Sequence, residues 1–529
     1  MVFDNLVIGS GPTGLTVANE LLLKGEKVHL IDIGNVIEES NKDLGSVFLK
    51  TRNFYSFLNT LDKNKIIKGK YNNPNLKYPF GSDFVFRNNN FEKIFTNNAD
   101  YISSNALGGL SNIWATMVSP FKDEDISDWP ISFERYYKYL SNVEDIMPIS
   151  SSRDNLDNFY NIRIGKEHEF KISKAGEVFF NKCQERKDLL NNKGIYFGRA
   201  KSAISSKYSL DGKSCSACGL CHFGCPNNNM FNSKFMLDDL LSNKSFHYLS
   251  GLFVEKIFQN KEENVGRVEC RDVKNNETKS FNYNKIFLSL GPIGTAMLIL
   301  RSNLIKNDNV TFKESQRFYV PALLKSISFK KYQVNKNTLS EISLTIMNTL
   351  ISKFSAHLQV YSFSEIMLRP LKQILGNQIY RLPHFFPFIF NNIYIILGYL
   401  HSKDSNQMNL KITKNDSGIY EYKLSEIFLK DTKDIVDQFF NLIKKEMNFI
   451  YINKKFLNNG ITGSSYHYGG SFPMSLNEKN ENGSSIKGNL NQYKNIYITD
   501  QSALPEMPGS PTTFNAMVNA SRIVNEMYE

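Results

Sequence analysis

The sequence predicts an α/β protein, because three segments far apart in the chain each read as a buried strand followed by a helix. These segments lie at residues 3–32, 285–302 and 495–527. In each, a short run rich in β-branched and aromatic residues is followed by glycine or proline and then by apolar residues at helical spacing. With 529 residues, of which 41% are hydrophobic and 22% charged, the chain is long enough to divide into two or more domains.

The first segment has the pattern of a dinucleotide-binding unit. A strand predicted over residues 3–8 leads into a GxGxxG loop, a helix and a second strand that ends on an acidic residue. The glycines allow a tight turn, close approach of a pyrophosphate and close packing of helix on strand, and the helix N-terminus offers amides to phosphate. The acid can accept a hydrogen bond from a ribose hydroxyl. We therefore predict a dinucleotide site at Gly9, Gly11, Pro12, Thr13, Gly14 and Asp32.

The other two segments have related patterns. In the middle segment, a buried strand runs into Gly291 and a helix. In the last segment, a strand ends at Asp500, a loop rich in proline and glycine spans 505–511, and a helix is predicted from about Thr513. His467 stands shortly before this segment, next to a pair of glycines.

These motifs, in this order, resemble those of the glucose–methanol–choline (GMC) flavin oxidoreductases. The resemblance is carried by the N-terminal glycine-rich loop, "ALGGLSNIWATMV" at 106–118, "FLSLGPIGTAMLILRS" at 287–302, "YHYGGSFPM" at 466–474 and the segment 500–522. It implies a Rossmann-like FAD-binding domain assembled from N-terminal, middle and C-terminal segments, with an inserted α+β substrate domain built on an antiparallel sheet. The implied boundaries are 1–130, 201–302 and 461–529 for the FAD-binding segments, 131–200 for a substrate-domain segment or helical excursion, and 303–460 for the substrate-binding domain.

The resemblance also implies further contacts with the flavin, at Gly108, Gly109, Ser111, Trp114, Gly291, Asp500, Pro511, Thr512 and Thr513. The loop 108–114 is most similar to the flavin loop of pyranose-type sugar oxidases, in which a histidine can be bonded covalently to the flavin. Ile113 occupies that position here, so we expect FAD to be bound non-covalently.

His467 matches the family position in front of the flavin. There, an imidazole takes the proton of the substrate alcohol while hydride leaves carbon for flavin N5. An imidazole suits this task because its ordinary pKa lies close to the working pH. From the residues alone, His467 could equally be a loop histidine in a glycine-rich turn. Many members carry a second Asn or His before the final helix, but this chain has Ser510-Pro511-Thr512-Thr513, so the resemblance identifies no second catalytic group.

Four of the six cysteines lie in "CSACGLCHFGCP", at 215–226. The spacing C-x2-C-x2-C-x3-C-P is that of a bacterial ferredoxin run. It also resembles the cluster-binding pattern of some FAD-dependent sugar dehydrogenases of the family, and there Cys215, Cys221 and Cys225 match. We predict an iron–sulfur cluster, 3Fe–4S or 4Fe–4S, held by Cys215, Cys218, Cys221 and Cys225, with zinc or no metal as alternatives. A cluster would pass electrons to a quinone, a cytochrome or a partner protein.

The expected activity is FAD-dependent oxidation of an alcohol, on a sugar or sugar-containing substrate, by a dehydrogenase. The alternatives are an oxidase of a sterol or other hydrophobic alcohol that reduces oxygen, and a catalytically silent flavin and iron–sulfur electron-relay subunit. The net charge of +11 fits an anionic partner or simple solubility, and no nucleic-acid-binding module is recognisable.

The apolar run at 385–400 is too short and too interrupted for a membrane-spanning helix. With the preceding Arg369, Lys372 and Arg381, it forms either core or an interfacial patch for a membrane or redox subunit. Clustered cysteines and the early glycine motif predict a cytoplasmic protein, with peripheral membrane contact as an option.

Overall fold

A computed structural model describes residues 2–51, 57, 60, 77–88, 90–150, 152–166, 171–326, 331–332, 337–368, 376–413, 419–477 and 479–529. The helices in these ranges are α1 Pro12–Leu23, α2 Glu39–Lys42, α3 Leu44–Thr51, α4 Asp123–Ile126, α5 Phe133–Tyr137, α6 Leu140–Ile146, α7 Asn155–Tyr160, α8 Lys174–Gln184, α9 Lys187–Asn192, α10 Phe235–Leu241, α11 Gly291–Arg301, α12 Leu382–Phe385, α13 Pro387–Phe390, α14 Thr432–Glu446 and α15 Thr512–Glu526.

The strands are β1 Val2–Ile8, β2 Val28–Asp32, β3 Glu92–Asn97, β4 Met117–Val118, β5 Ile195–Arg199, β6 Lys201–Ser202, β7 Phe246–Ser250, β8 Leu252–Phe258, β9 Gly266–Asp272, β10 Thr278–Leu288, β11 Asn309–Glu314, β12 Arg317–Leu324, β13 Ile342–Ile346, β14 Ala356–Ser362, β15 Ile393–Tyr399, β16 Gln407–Thr413, β17 Tyr420–Ile427, β18 Ile450–Ile452, β19 Asn458–Asn459, β20 Tyr468–Gly469, β21 Met474–Ser475, β22 Ser484–Ser485 and β23 Ile496–Ile498.

The first sheet joins the three segments that the sequence singled out. Its order is β7-β2-β1-β10-β9-β8, and β23 pairs with the end of β10. The pairs of β1 with β2, of β1 with β10 and of β10 with β23 are all parallel, and Leu288 lies opposite both Ile8 and Ile498. Parallel strands buried on both faces read as continuous apolar runs, which is why these segments were recognisable. The mixed α/β fold with its Rossmann-like sheet is confirmed.

Two helices from opposite ends of the chain pack together beside this sheet. The buried carboxylate of Glu20 on α1 accepts hydrogen bonds from Ser521 Oγ at 2.7 Å and Asn525 Nδ2 at 2.8 Å, both on α15. Apolar side chains of the two helices belong to the same core cluster, together with Phe287 of β10. Helix α15 begins at Thr512, one residue before the predicted start.

The second large sheet is antiparallel and lies within the substrate-domain segments. Its order is β18-β12-β15-β14-β13-β5, with β19 also paired to β12. Helices α8 and α14 cover one face, where Phe179 and Phe439 share a core cluster with apolar residues of the sheet. Because side chains alternate across a strand, the other face carries a separate set of residues, among them Tyr319 and Gln359. A third sheet has the order β20-β11-β16-β17-β3.

The apolar run at 385–400 is divided between three short elements. Its first residue, Phe385, ends α12, residues 387–390 form α13, and residues 393–399 form β15. No helix in the ranges described is long and apolar enough to cross a membrane. Arg369 and Lys372 lie outside the described residues.

Candidate functional site

A cavity of about 860 Å³ opens where loops of the first sheet face the second sheet. Most residues predicted to bind the dinucleotide or substrate line it: Gly9, Gly11, Pro12, Thr13, Asp32, Gly109, Ser111, Trp114, Gly291, His467, Asp500, Pro511, Thr512 and Thr513. Gly14 and Gly108 are not in the lining, because they pack against neighbouring backbone and side chains behind it. The structure thus gathers residues from three distant segments into one site, and their binding roles remain predictions.

The glycine-rich loop forms a cradle that a side chain would fill. A Cβ atom on Gly9, which has a φ of +99°, would lie 2.6 Å from Ser289 O, and one on Gly14 would lie 1.9 Å from Gly9 O. A Cβ atom on Gly11, in contrast, would meet only Ser289 O, at 4.0 Å, and Gly11 is followed by Pro12 at the first position of α1. The free amides of the helix N-terminus therefore point to a place where a phosphate can approach closely.

Asp32 ends β2 at the edge of this cradle. Its carboxylate accepts a hydrogen bond from Ser10 N at 3.3 Å and another from the Ser10 hydroxyl. Burial raises the pKa of Asp32 to about 6, although the hydrogen bonds from Ser10 and nearby amides act in the opposite direction. A carboxyl group in this position can bind a further hydroxyl donor from the cavity, as a ribose would provide.

The loop that contains Gly108 packs directly on the glycine-rich loop. Gly108 N donates to Ser10 Oγ at 3.0 Å, and a Cβ atom on Gly109 would lie 3.3 Å from Gly11 Cα. Both glycines have positive φ values, +83° and +54°. Trp114 is fixed farther along, where its Nε1 donates to a backbone carbonyl at 2.8 Å. The cradle, helix terminus and buried carboxyl fit a dinucleotide such as FAD.

The C-terminal segment closes the cavity near the expected flavin. The carboxylate of Asp500 is buried and accepts hydrogen bonds from Thr295 Oγ1 and from Ser502 N at 2.8 Å. Burial raises the pKa of Asp500. Gln501 Nε2 donates to Thr512 Oγ1 at 2.8 Å, so this threonine is held as part of the loop. The lining at 511–513 contains no histidine or asparagine, in agreement with the sequence.

His467 lines the same cavity, and its ring is held firmly. The ring stacks on Tyr399 with centroids 4.5 Å apart, and the backbone is fixed by hydrogen bonds to Ser465 Oγ at 3.1 Å and from Ser315 N at 2.8 Å. Its Nδ1 is buried and has no hydrogen-bond partner among the described residues. Although the ring is accessible from the cavity, the surrounding protein desolvates it, and this burial, with the charge of Arg317, lowers the pKa of His467 to about 4. The imidazole is therefore neutral at neutral pH and able to accept a proton.

A second histidine, His357, lies beside this group and was missed in the sequence. It is on β14, on the same strand face as Gln359 and Tyr361, which line the cavity. Both ring nitrogens of His357 are buried without a hydrogen-bond partner in the part of the chain that the structure describes. Burial and then the charge of His467 lower its pKa to about 3. The signal that could have revealed it is the polar alternation His-x-Gln-x-Tyr within an otherwise apolar strand.

Lys77 and His222 also line the cavity, and neither was predicted as a site residue. Lys77 Nζ donates to Trp114 O at 2.9 Å, and burial lowers the pKa of Lys77 to about 8. The His222 Nε2 atom lies 2.9 Å from Thr338 O, and burial lowers the pKa of His222 to about 3. His222 brings the cysteine-rich loop to the edge of the cavity.

The structure does not support the cluster predicted at Cys215, Cys218, Cys221 and Cys225. All four thiols are free, and within the described ranges no group of three or more His, Cys, Asp or Glu side chains is arranged to hold a metal ion. Burial raises the pKa of Cys215 to about 11 and that of Cys218 to about 12 in the metal-free protein. Among the described residues, the spacing of the cysteines in sequence is not matched by side chains gathered around one centre.

Comparison with known proteins agrees with this fold. The family model described as GMC oxidoreductase matches residues 3–338, more than half of the chain. Pyridoxine 4-oxidase from Mesorbium loti has a similar structure, with a TM-score of 0.60 and 11% sequence identity over 99% of each chain. An FAD-dependent oxidoreductase from Chaetomium thermophilum, solved with a bound fragment, has a TM-score of 0.56 and 13% identity, also over 99% of each chain. No curated protein matches the chain.

Proposed function

Since the chain belongs to the GMC oxidoreductase family, and is therefore an FAD-dependent oxidoreductase acting on an alcohol-type substrate, we propose that His467 is the base of this reaction. One observation supports this role most directly. The neutral imidazole of His467, whose Nδ1 has no hydrogen-bond partner among the described residues, lines the same cavity as the glycine cradle. When bound, FAD supplies the acceptor for the hydride that leaves the alcohol carbon. His467 takes the hydroxyl proton, so that loss of one hydride and one proton yields a carbonyl product.

The surroundings of His467 orient it for this task. Stacking on Tyr399 fixes the plane of the ring, and the backbone hydrogen bonds on either side fix its position. His357 interacts electrostatically with His467 and is not part of the cavity lining, so we assign it no contact with the substrate. A second proton acceptor is not required when the substrate loses one proton to the base.

We propose a sugar or sugar-containing substrate. Tyr319, Tyr361 and Tyr399 line the cavity together with Gln359, and Tyr361 Oη donates to Gln359 Oε1 at 2.6 Å. Aromatic faces with hydrogen-bonding groups between them suit a hydroxylated ring. Apolar side chains at Ile366, Met367, Ile395 and Leu397 line the same cavity and favour the second candidate, a hydrophobic alcohol.

The electron acceptor remains a separate proposal. An acceptor other than oxygen was predicted from the iron–sulfur cluster, which the structure does not support. Peroxide measured during aerobic turnover tests this prediction: stoichiometric peroxide would make the protein an oxidase, and its absence together with turnover on a quinone or dye would support a dehydrogenase.

Peripheral membrane contact is proposed for the exposed apolar surface of α12 and α13. Phe385 is 70% exposed, Phe386 and Ile389 are also exposed, and the basic Arg381 precedes them. Aromatic residues beside a cation suit an anionic lipid surface. The double variant Phe385→Ser and Ile389→Ser should bind less to vesicles containing phosphatidylserine. Leu350→Ser, at an isolated side chain that is 92% exposed, is the matched control. Equal vesicle binding by both variants would contradict the proposal, and a cytoplasmic location is retained as the accompanying proposal.

An anaerobic spectrum of the purified holoenzyme tests the main proposal. We expect sugars or other alcohols from a panel to bleach the flavin absorbance, and His467→Gln to lower the bleaching rate by about 10²- to 10⁴-fold. His247→Gln changes an exposed histidine outside the cavity and should leave the rate unchanged. A silent electron-relay subunit would show no bleaching with any alcohol in the panel.

A further inference from the structure

Arg317 places a guanidinium in the cavity without a partner of opposite charge. It is the first residue of β12, pairs with Tyr399 across the sheet and lines the cavity. Its Nε is buried and has no hydrogen-bond partner, and no ion pair of Arg317 is found in the part of the chain that the structure describes. A charged group in such a position is normally paired or bound to a ligand.

The other two basic side chains of the lining have partners. Arg301 donates to the carbonyls of Glu255 and Val254, both at 2.7 Å, and forms an ion pair with Glu92. Lys77 donates to a backbone carbonyl, as described above. Among the described lining residues, the guanidinium of Arg317 is thus the basic group left open to a ligand.

The acidic side chain that interacts with the charge of Arg317 is Glu314, and no ion pair joins the two among the described residues. Glu314 is buried, and its carboxylate accepts hydrogen bonds from Gly463 N at 2.6 Å and Ser465 N at 3.2 Å instead. Burial raises the pKa of Glu314 to about 7, although the charge of Arg317 acts in the opposite direction, so Glu314 neutralises Arg317 only in part. The ring of Tyr466 lies 5.8 Å from the Arg317 guanidinium, and this cation–π contact leaves the donors in the guanidinium plane free.

We propose that Arg317 binds an anionic group of the substrate, so that the substrate is an alcohol that also carries a carboxylate or a phosphate. A guanidinium presents several donors in one plane, which match the oxygens of either anion in a bidentate arrangement. Tyr399 connects this anion site to the base, because it stacks on His467 and pairs with Arg317. The anionic group and the reacting hydroxyl therefore lie near each other on the substrate, as in a sugar acid or a sugar phosphate. This inference rests on the proposed function for its choice of substrate.

Anion binding can be measured without turnover. Acetate and inorganic phosphate are titrated separately into the oxidised holoenzyme, and binding is followed by the flavin absorbance. We expect one of the two to bind, Arg317→Gln to weaken that binding by about tenfold or more, and Arg317→Lys to weaken it less. Arg163→Gln changes an exposed arginine outside the cavity and is the matched control. Absence of binding by either anion, or equal binding by wild type and Arg317→Gln, would overturn the proposal.

Turnover with paired substrates distinguishes this site from the base. For neutral sugars and the corresponding sugar acids and phosphates, Arg317→Gln should raise KM more for the anionic member of a pair than for the neutral member. An equal loss of kcat on both members would overturn the proposal, because Arg317 would then act on the reacting oxygen. His467→Gln should keep anion binding while losing flavin reduction. If anions bind but no alcohol reduces the flavin, the proposed function fails and the anion site stands.

Discussion

Acidification should leave His467 neutral over a pH range in which an ordinary histidine is already protonated. Burial, and secondarily the charge of Arg317, lowers the pKa of His467 to about 4. A protonated base cannot accept the hydroxyl proton, so kcat/KM should fall as the pH decreases through the pKa of the free enzyme. We therefore expect the acid limb of the profile to have its midpoint near pH 4 instead of near 6.5.

The difference is large enough to measure at a single pH. At pH 5, a histidine with a pKa of about 4 is about nine-tenths neutral, whereas one with a pKa of 6.5 is about 3% neutral, a difference of roughly 30-fold in available base. Arg317→Gln removes the second cause of the lowered pKa, so its midpoint should move upward. Burial remains in that variant, and the midpoint should therefore stay below 6.5.

Anaerobic stopped-flow measurements of flavin reduction between about pH 3 and pH 8, a range that brackets both midpoints, provide the assay, with circular dichroism at each pH to confirm that the protein is folded. A neutral alcohol should be used, so that loss of anion binding in Arg317→Gln does not contribute. A wild-type midpoint near 6.5 would refute the reasoning about burial. A similar rate and acid limb in His467→Gln would refute the assignment of the base.

Three further outcomes follow from the packing. Gly14→Ala should abolish retention of FAD, because the new Cβ would lie 1.9 Å from a backbone oxygen. Retention is measured as the ratio of flavin to protein after gel filtration. The control is Gly212→Asn, in an open exposed turn, which should retain FAD. Arg522→Ala should lower the free energy of unfolding by about 3–5 kcal/mol in urea titrations, because this fully buried guanidinium has its hydrogen bonds and ion pair inside the protein. Lys138→Ala removes an exposed ion pair and should have little effect, and a similar loss in both would contradict the role of burial. Burial raises the pKa of Asp125 to about 7, so the folded state holds this proton more tightly than the unfolded state. The stability that this group contributes is therefore lost as the pH rises from about 4 to 7. Asp125→Asn should gain stability relative to wild type between pH 5 and pH 8, and a constant difference in the free energy of unfolding would argue against the raised pKa.

The parts of the fold that the sequence predicted well are those with local physical causes. The loop from Gly9 to Gly14 needs glycine at fixed spacing, and parallel strands buried on both faces leave long apolar runs on either side of it. His467 was found because it stands in a recognisable motif. The structure places it in the cavity, while its role as base is still a prediction.

The residues that were missed depend on contacts between distant segments. His357 and Arg317 come together only because β14 and β12 both pair with β15, and neither strand has a motif that identifies its neighbour. Polar residues on one face of a strand can be recognised in sequence, but the cavity that they face cannot. This is why the substrate side of the site was predicted less completely than the cofactor side.

The cluster predicted in the cysteine-rich loop is the part of the site prediction that the structure does not support. Its spacing matches a cluster-binding pattern, but spacing along a chain does not determine whether four sulfur atoms surround one point. In the structure, Ala217 has a φ of +50° and its N donates to Cys215 Sγ at 3.4 Å, while Asn229 N donates to Cys225 Sγ at 3.2 Å. These local backbone contacts use the thiols as hydrogen-bond acceptors within the loop.

The order of strands in the first sheet has a consequence for biosynthesis. Strand β1 and its partner β10 are separated by 280 residues in the chain, from Val2 to Asn282. At about 5–20 residues per second, the apolar edge of β1 waits roughly 15–55 s for this neighbour. Helix α15, which packs on α1, is made later still. Strand β2 can pair with one edge of β1 early, but the other edge of β1 stays unpaired until β10 has been made, and during that time chaperones can bind it.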